Sequence, residues 1–296
     1  MKIIGFSFIR NAITYDYPVV EAIRSILPLC DEVIVAVGNS DDDTRALVAA
    51  IDPAKVRILD TVWDDTLREG GRVLAVETDK ALAAVAPDAD WAIYIQGDEV
   101  LHEQYLPNLR RAMAQYRTDN TVDGLLLNYL HFYGSYRYVG DSRKWYRREI
   151  RVIKPTGNIM AYRDAQGFRK KDNTKLRVKL VDAWVYHYGW VKPPDRQKAK
   201  IEASAQFWND DTKMNEVRQR VAGFDYSGID SLALFDGTHP TVMQERIGRA
   251  DWQFDFDIRQ RKYSPKNQIL MAIQRYTGWR IGEYRNYRLE IGRAHV

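Results

Sequence analysis

Asp90-Trp91-Ala92-Ile93-Tyr94-Ile95-Gln96-Gly97-Asp98-Glu99-Val100-Leu101 is the stretch whose reading organises the rest of the chain. An apolar run containing β-branched and aromatic residues predicts a buried strand, and this one stops at a Gly followed by two acids. In an open α/β sheet, ligands gather outside the C-terminal ends of the strands. Two carboxylates placed there suit a hard divalent cation that carries phosphate oxygens. The competing reading is that Asp98 and Glu99 only cap a following helix, whose first turn favours acids.

Upstream, Lys2 to Ile9 predicts a first strand ending at Arg10-Asn11, and Glu32 to Val37 a second ending at Gly38-Asn39-Ser40-Asp41-Asp42-Asp43-Thr44. Between them Pro18 opens a helix in which Val19, Ile23, Ile26 and Leu27 recur at helical spacing. A helix over Thr44 to Ile51, a short strand over Val56 to Leu59 and a longer helix from Gly70 to Val85 complete the run. Strands alternating with helices through short turns imply a mostly parallel sheet. Arg10-Asn11, Asn39 to Thr44 and Gln96 to Glu99 then share one edge, in the manner of a nucleotide cleft.

Downstream, the pattern predicts a polar helix from Glu103 to Arg117 and a strand from Val122 to Phe132. After a Gly-interrupted aromatic and basic stretch come a strand over Asp182 to Trp190, stopped by Pro193-Pro194, and a helix from Lys198 to Trp208. Helical segments over Thr241 to Arg249 and Asn267 to Tyr276 follow. Neither an internal repeat nor a low-complexity linker interrupts the chain.

At 296 residues one large domain, or one domain with an appendage, is expected. A hydrophobic fraction of 45% and a charged fraction of 28% suit a soluble globular protein. No apolar run reaches the length of a bilayer span, and the N-terminus lacks the regions of a signal peptide. A cytoplasmic protein is expected, with peripheral contact at the inner membrane face and homo-oligomerisation left open. The single cysteine, Cys30, excludes an intramolecular disulfide and a cysteine-rich zinc site, and its helical context predicts a core position. The net charge of +4 is unevenly spread: Asp41 to Asp43 are acidic, whereas Arg143, Lys144, Arg147, Arg148, Arg151 and Lys154 form a basic stretch. Such clusters are solvated faces or recognise an acidic ligand.

Three segments, in this order, resemble the family 2 glycosyltransferases: the strand ending in Arg10-Asn11, the strand and turn from Asp31 to Thr44, and Trp91 to Glu99, which is similar to the strand bearing the Asp-x-Asp metal motif. Tyr186-His187-Tyr188-Gly189-Trp190 extends the match. The chain departs from the family at Val37, where an Asp usually contacts the nucleobase, and at Gln96, the first position of Asp-x-Asp. The resemblance implies an α/β chain with the GT-A nucleotide-diphospho-sugar transferase fold: a mostly parallel central sheet flanked by helices, with a helical C-terminal appendage. A catalytic domain would span residues 1–208, with a nucleotide-binding half at 1–130 and an acceptor half at 131–208. A mainly helical extension would cover 209–296.

By the same resemblance the chain would be an inverting, metal-dependent, hexosyltransferase-type enzyme of polysaccharide biosynthesis. It would move sugar from a nucleotide-diphosphate sugar to a carbohydrate or lipid-linked acceptor. Asp98 would hold Mn²⁺ or Mg²⁺ as a Lewis acid for the departing diphosphate, with His187 completing the shell and Glu99 ranked behind. Arg10, Asn11, Asn39, Ser40, Asp42, Arg72, Gln96 and Gly97 are the expected donor-binding residues, with Lys144 or Arg147 as further diphosphate partners. Inversion needs an acid residue to take the acceptor proton; Asp164 is the first choice and Asp141 and Glu149 are rivals. Trp145, Tyr146, Trp184 and Trp190 could face an acceptor ring.

A non-catalytic GT-A-like nucleotide- or glycan-binding protein is the alternative, with Val37 and Gln96 in its favour. Nucleic acid is not an expected partner, because acidic strand-end loops repel phosphate unless a cation intervenes. The chain contains neither a P-loop nor a Gly-x-Gly-x-x-Gly segment after a strand, which argues against a P-loop enzyme and a dehydrogenase.

Overall fold

The computed structural model describes residues 1–290. Its first part alternates strand and helix: β1 (Ile3–Ile9), α1 (Val19–Ile26), β2 (Glu32–Gly38), α2 (Thr44–Ala49), β3 (Val56–Thr61), α3 (Arg72–Ala83) and β4 (Trp91–Tyr94). β1 pairs in parallel with β2 on one side and β4 on the other, and β2 pairs in parallel with β3. The two-residue period of the strands sorts their side chains onto two faces. Ile3, Ile9, Val33, Val35 and Val37 pack with α1, α2 and the later Leu109 and Met113, whereas Ile4, Phe6, Ile34 and Ala36 pack with α3. In α1 the buried Val19, Ala22, Ile23 and Ile26 form the apolar stripe expected of a surface helix. Cys30 is in this core, as its sequence context predicts.

The chain continues through β5 (Glu99–Leu101), α4 (Leu106–Tyr116), β6 (Gly124–Tyr133), β7 (Ser135–Gly140), β8 (Arg148–Ile153) and a small hairpin of β9 (Ile159–Tyr162) and β10 (Gly167–Lys170). The long β11 (Leu176–Trp190), α5 (Pro194–Ala205), α6 (Asp211–Ala222), β12 (Leu232–Leu234), α7 (Gln244–Gly248), α8 (Pro265–Thr277) and β13 (Tyr287–Leu289) follow. Among the described residues the main sheet has eleven strands, ordered β12-β7-β6-β8-β4-β1-β2-β3 along its main path. β4, β8, β6, β7 and β12 are joined by antiparallel ladders. β11 lies parallel to β6 and carries β5 and β13.

Several local expectations change. Asp98 and Glu99 do not cap a helix, because Glu99 opens β5, which pairs antiparallel with β11. β11 starts at Leu176, before the expected Asp182, because Leu176 and Val178 are also buried. α5 starts at Pro194, a residue pre-set for the first helical turn. The segment after Trp208 holds α6, α7 and α8 and also contributes β12 and β13 to the main sheet. Residues 291–296, part of the expected extension, lie outside the described residues.

The basic stretch is neither a solvated face nor a ligand patch throughout. Arg151, on β8, is fully buried and makes a bidentate pair with the equally buried Glu99: Nε to Oε2 at 2.8 Å and Nη2 to Oε1 at 2.7 Å. Tyr129 on β6 donates its hydroxyl to the same carboxylate at 2.8 Å, and the Gln96 backbone N–H donates at 3.2 Å. The guanidinium also lies over the rings of Tyr94 and Tyr129 and donates to the Ile150 and Gln166 carbonyls. One buried pair thus ties β5 and the turn after β4 to β6 and β8.

Removing one member of such a pair leaves a buried charge unmatched. Arg151→Met is expected to cost roughly 3–5 kcal/mol in urea denaturation. Glu99→Leu combined with Arg151→Met should recover most of that loss.

Candidate functional site

The loops after β1, β2 and β4 meet at the C-terminal edge of the parallel strands. Asn11 takes a left-handed conformation (φ 53°), and its backbone N–H donates to Ser40 Oγ at 3.0 Å while its Oδ1 accepts from the Asp41 N–H at 2.8 Å. Asp42 accepts from the Thr14 N–H at 2.8 Å, and Thr44 Oγ1 accepts from the Ala12 N–H at 2.7 Å. The acidic knot is therefore the clasp that holds two strand-end loops together. Arg10 reaches the Asn39 carbonyl at 3.1 Å and Asp65 at 2.7 Å, with its guanidinium above Trp63. Asn39 Oδ1 accepts from the Trp63 N–H at 3.0 Å.

These loops border a cavity of about 470 Å³. Arg10, Asn11, Gln96, Gly97, Asp98 and Asp164 line it, joined by Tyr17, Asp41, Trp63, Asp65, Lys200, Ser204, Phe207 and Trp208. Asn39, Ser40 and Asp42 do not line it and are engaged in loop-to-loop bonds. Arg72, at the exposed start of α3, is not on the wall. Gly71 is sterically required, and Gly97 packs closely on its neighbour. A Cβ on Gly97 would come within 2.7 Å of Ile9, and one on Gly71 (φ +69°) within 2.7 Å of both Asp164 and Trp208.

Asp98 is buried at the cavity's end. Its Oδ2 accepts from Lys200 Nζ at 2.8 Å and lies 3.6 Å from His187 Nε2. The antiparallel pairing of β5 with β11 causes this meeting: His187 stands opposite Glu99, and the Tyr188 N–H donates to the Asp98 carbonyl at 2.8 Å. Gly189 completes the cradle, since a Cβ there would lie 2.6 Å from Asp98 Oδ2 and 2.7 Å from the His187 ring. Burial pushes the Asp98 carboxyl up, but Lys200 and His187 together outweigh it and hold the group well below the usual carboxylate range.

The hydrogen bonds fix the orientation of the His187 ring. His131, on β6, places Nε2 2.8 Å from the Tyr146 carbonyl, which only accepts, so Nε2 carries the proton. Burial pushes His131 well below the ordinary imidazole value, so the ring is neutral and its Nδ1 accepts. His187 Nδ1, 3.2 Å away, must then donate to it. His187 Nε2 is therefore the ring nitrogen turned towards Asp98. A carboxylate and an imidazole nitrogen converging beside a side-chain-free glycine form a donor set that fits a divalent cation with diphosphate oxygens and water. Among the described residues no cluster of three or more His, Cys, Asp or Glu side chains assembles, so the protein would supply only these two ligands.

The other nominated residues separate. Glu99, expected as a third ligand, is corrected: both its oxygens are engaged by Arg151 in the interior. Asp164 lines the cavity, and burial raises its carboxyl above the ordinary range. Asp141 is turned elsewhere, to Ser231 and Arg261, and lines a second cavity. Glu149 is buried on β8 with Oε2 unpartnered, away from the first cavity. Lys144 and Arg147 also lie outside it, near Asp230 (3.6 Å) and in a bidentate pair with Glu283. Trp145, Tyr146 and Trp184 line the second cavity, of about 290 Å³, together with His131. Trp190 instead packs on Tyr133.

Lys200 was not foreseen from the sequence. In the polar α5 it follows Lys198 with nothing to separate them by type or spacing. Trp63, Asp65 and Phe207 were also missed, because none belongs to a motif.

No protein-family model and no curated protein matches the chain. Solved structures do. Residues 1–349 of S. aureus TarS align over 75% of this chain and 71% of that one, at 12% identity and a TM-score of 0.38. Glucosyl-3-phosphoglycerate synthase from Mycobacterium tuberculosis, crystallised with Mn²⁺, uridine diphosphate and phosphoglyceric acid, aligns over 44% of this chain and 43% of that one. Its identity is 23% and its TM-score 0.29. The chain thus spans less than half the length of the synthase.

Glu149 gives a pH signature. Burial pushes its carboxyl up to about 8, against the pull of Arg151, whereas an unfolded Glu titrates near about 4.3. Between those values the folded state keeps a proton that the unfolded chain releases, so stability falls as pH rises through that window. Glu149→Gln should remove this term. Melting temperatures measured from about pH 5 to pH 9 should fall less steeply in the variant than in wild type.

Proposed function

We propose that the chain is an inverting, metal-dependent glycosyltransferase that moves a sugar from a nucleotide-diphosphate sugar to a glycan or lipid-linked acceptor. The observation that carries this reading is the convergence of Asp98 and His187 Nε2 at a cavity bordered by three strand-end loops.

In this reading Asp98 and His187 hold Mn²⁺ or Mg²⁺, which supplies Lewis-acid stabilisation of the departing diphosphate. Arg10, fixed by Asp65 and the Asn39 carbonyl, offers its guanidinium to the donor within the cavity. Trp63 and Phe207, with ring centres 5.6 Å apart, provide an aromatic wall for a planar base. Val37, buried in the core, cannot contact a base, so polar recognition falls to the Asn11, Asp41 and Asp65 side of the cavity. Gln96 donates to the Tyr94 hydroxyl and the Ala165 carbonyl, both at 3.2 Å, and so holds the loop that carries Asp164. Asp164 takes the acceptor proton; its burial raises proton affinity, which favours a base. Of the three nominated acids it alone lines this cavity. The aromatic second cavity, joined to Asp98 through His131 and His187, is a candidate acceptor subsite.

The cellular setting proposed is cytoplasmic polysaccharide synthesis. Among the described residues no helix is long and apolar enough to cross a membrane.

A thermal-shift panel of UDP, GDP, CDP and dTDP sugars, with and without Mn²⁺, should show one donor class raising the melting temperature only with metal. With that donor, Asp98→Ala should lower Mn²⁺-dependent transfer or hydrolysis by roughly a hundredfold or more. Asp164→Asn should lower transfer by about 10²–10⁴-fold while leaving the donor-induced shift unchanged. Donor binding without turnover would instead favour the non-catalytic alternative, which the existing Lys200–Asp98 pair also suits.

A further inference from the structure

Lys200 is a cation on the cavity wall that no sequence motif marks, and the proposed transferase chemistry does not use it. Its ammonium has three N–H donors, and the structure gives each a direction. One goes to Asp98 Oδ2 at 2.8 Å, one to the Gly189 carbonyl at 2.9 Å, and Nζ lies 4.8 Å from the centre of the Tyr17 ring. The carboxylate oxygen it binds is the one that faces His187 Nε2. With Nδ1 of His187 committed to His131, Nε2 faces the carboxylate across Gly189, and that buried carboxylate needs a positive charge held beside it. Lys200 supplies the charge. The neighbouring Lys192 does not, since its Nζ donates to the Asp16 carbonyl at 2.6 Å.

We propose that Lys200 is the counter-ion of the metal-free site, competing with a divalent cation for Asp98 Oδ2 and passing to the donor's diphosphate oxygens when the cation enters. The inference rests on the glycosyltransferase reading for the identity of the site, and adds an order to its loading. One carboxylate oxygen cannot hold an ammonium at 2.8 Å and a metal ion at bonding distance in the same direction. Metal alone therefore binds at the cost of an existing ion pair. Metal arriving with a diphosphate offers the displaced ammonium a new anion in the same cavity. Binding of the two is then mutually favourable, because each removes an obstacle to the other.

The test is calorimetric titration of Mn²⁺ into wild type, Lys200→Met and Lys200→Gln, each with and without inorganic pyrophosphate. Circular dichroism and melting curves establish that each variant is folded, and Lys200→Gln, which retains a donor for Gly189, serves if the Met variant is not. Without pyrophosphate, the folded variant should bind Mn²⁺ about tenfold more tightly than wild type, because no pair has to break first. Pyrophosphate should tighten Mn²⁺ binding in wild type by a clearly larger factor than in the variant. Asp98→Asn should lose Mn²⁺ binding in either background. Equal or weaker Mn²⁺ affinity in the folded variants, or the same pyrophosphate effect as wild type, overturns the competition while leaving the metal site intact. No Mn²⁺ binding by any form overturns the metal site and this inference with it.

Discussion

The buried pair between Glu99 and Arg151 is the interaction on which the site's geometry depends. The parallel strands β4, β1, β2 and β3 belong to one half of the sheet, and β6, β8 and β11 to the other. The turn between β4 and β5 lies where the halves meet. Glu99 closes that turn by accepting from the Gln96 N–H, while Arg151 and Tyr129 hold the same carboxylate from β8 and β6. An ion pair with both partners out of water is not an efficient source of stability, and an apolar substitute of the same shape can do as well. It does specify position: a carboxylate with both oxygens engaged cannot rotate, and neither can the turn carrying it. Asp98 is one residue away and inherits that rigidity, so its side chain stands in the cavity while Glu99 lies in the core.

Charge in this protein is arranged in layers around that point. Arg151 neutralises Glu99 in the interior, and Lys200 neutralises Asp98 at the cavity's edge. Arg10 is matched by Asp65 on the opposite rim. Adjacent acids therefore have separate cations and separate purposes, one structural and one available to a ligand. Beyond them the two imidazoles form a relay of hydrogen bonds from Tyr146 through His131 to His187. The relay dictates which nitrogen of His187 faces Asp98, a feature set by β6 and β11 lying side by side in register at these two residues.

α5 completes the cavity from a distance in sequence. It follows Pro193 and lays Lys200 and Ser204 along the wall that the strand-end loops leave open. Phe207 continues the same wall, and its carbonyl accepts from the Gly71 N–H at 2.9 Å, fixing the start of α3. The cavity is thus a product of the alternating strand-helix half and a later helix together. Neither encloses it alone.

The sequence by itself determined the periodic part of this structure. Near-continuous apolar runs in β1 and β2, the stripe on α1, and the abrupt end of the apolar run before Gly97 each follow from local geometry and burial, which are written in consecutive residues. Those same patterns brought Arg10, Asn11, Gln96, Gly97 and Asp98 to one edge. What only the tertiary structure decided is which polar neighbours share a partner. Glu99 and Asp98 are adjacent and chemically alike, yet the pleat sends them to opposite environments. Arg151 was one of a run of basic residues until the pairing of β8 with β6 buried it. Lys200 was one lysine among several until α5 set it against Asp98. Such choices rest on contacts between residues scores of positions apart, where charge and burial are resolved only after the sheet has closed, and no local period records them.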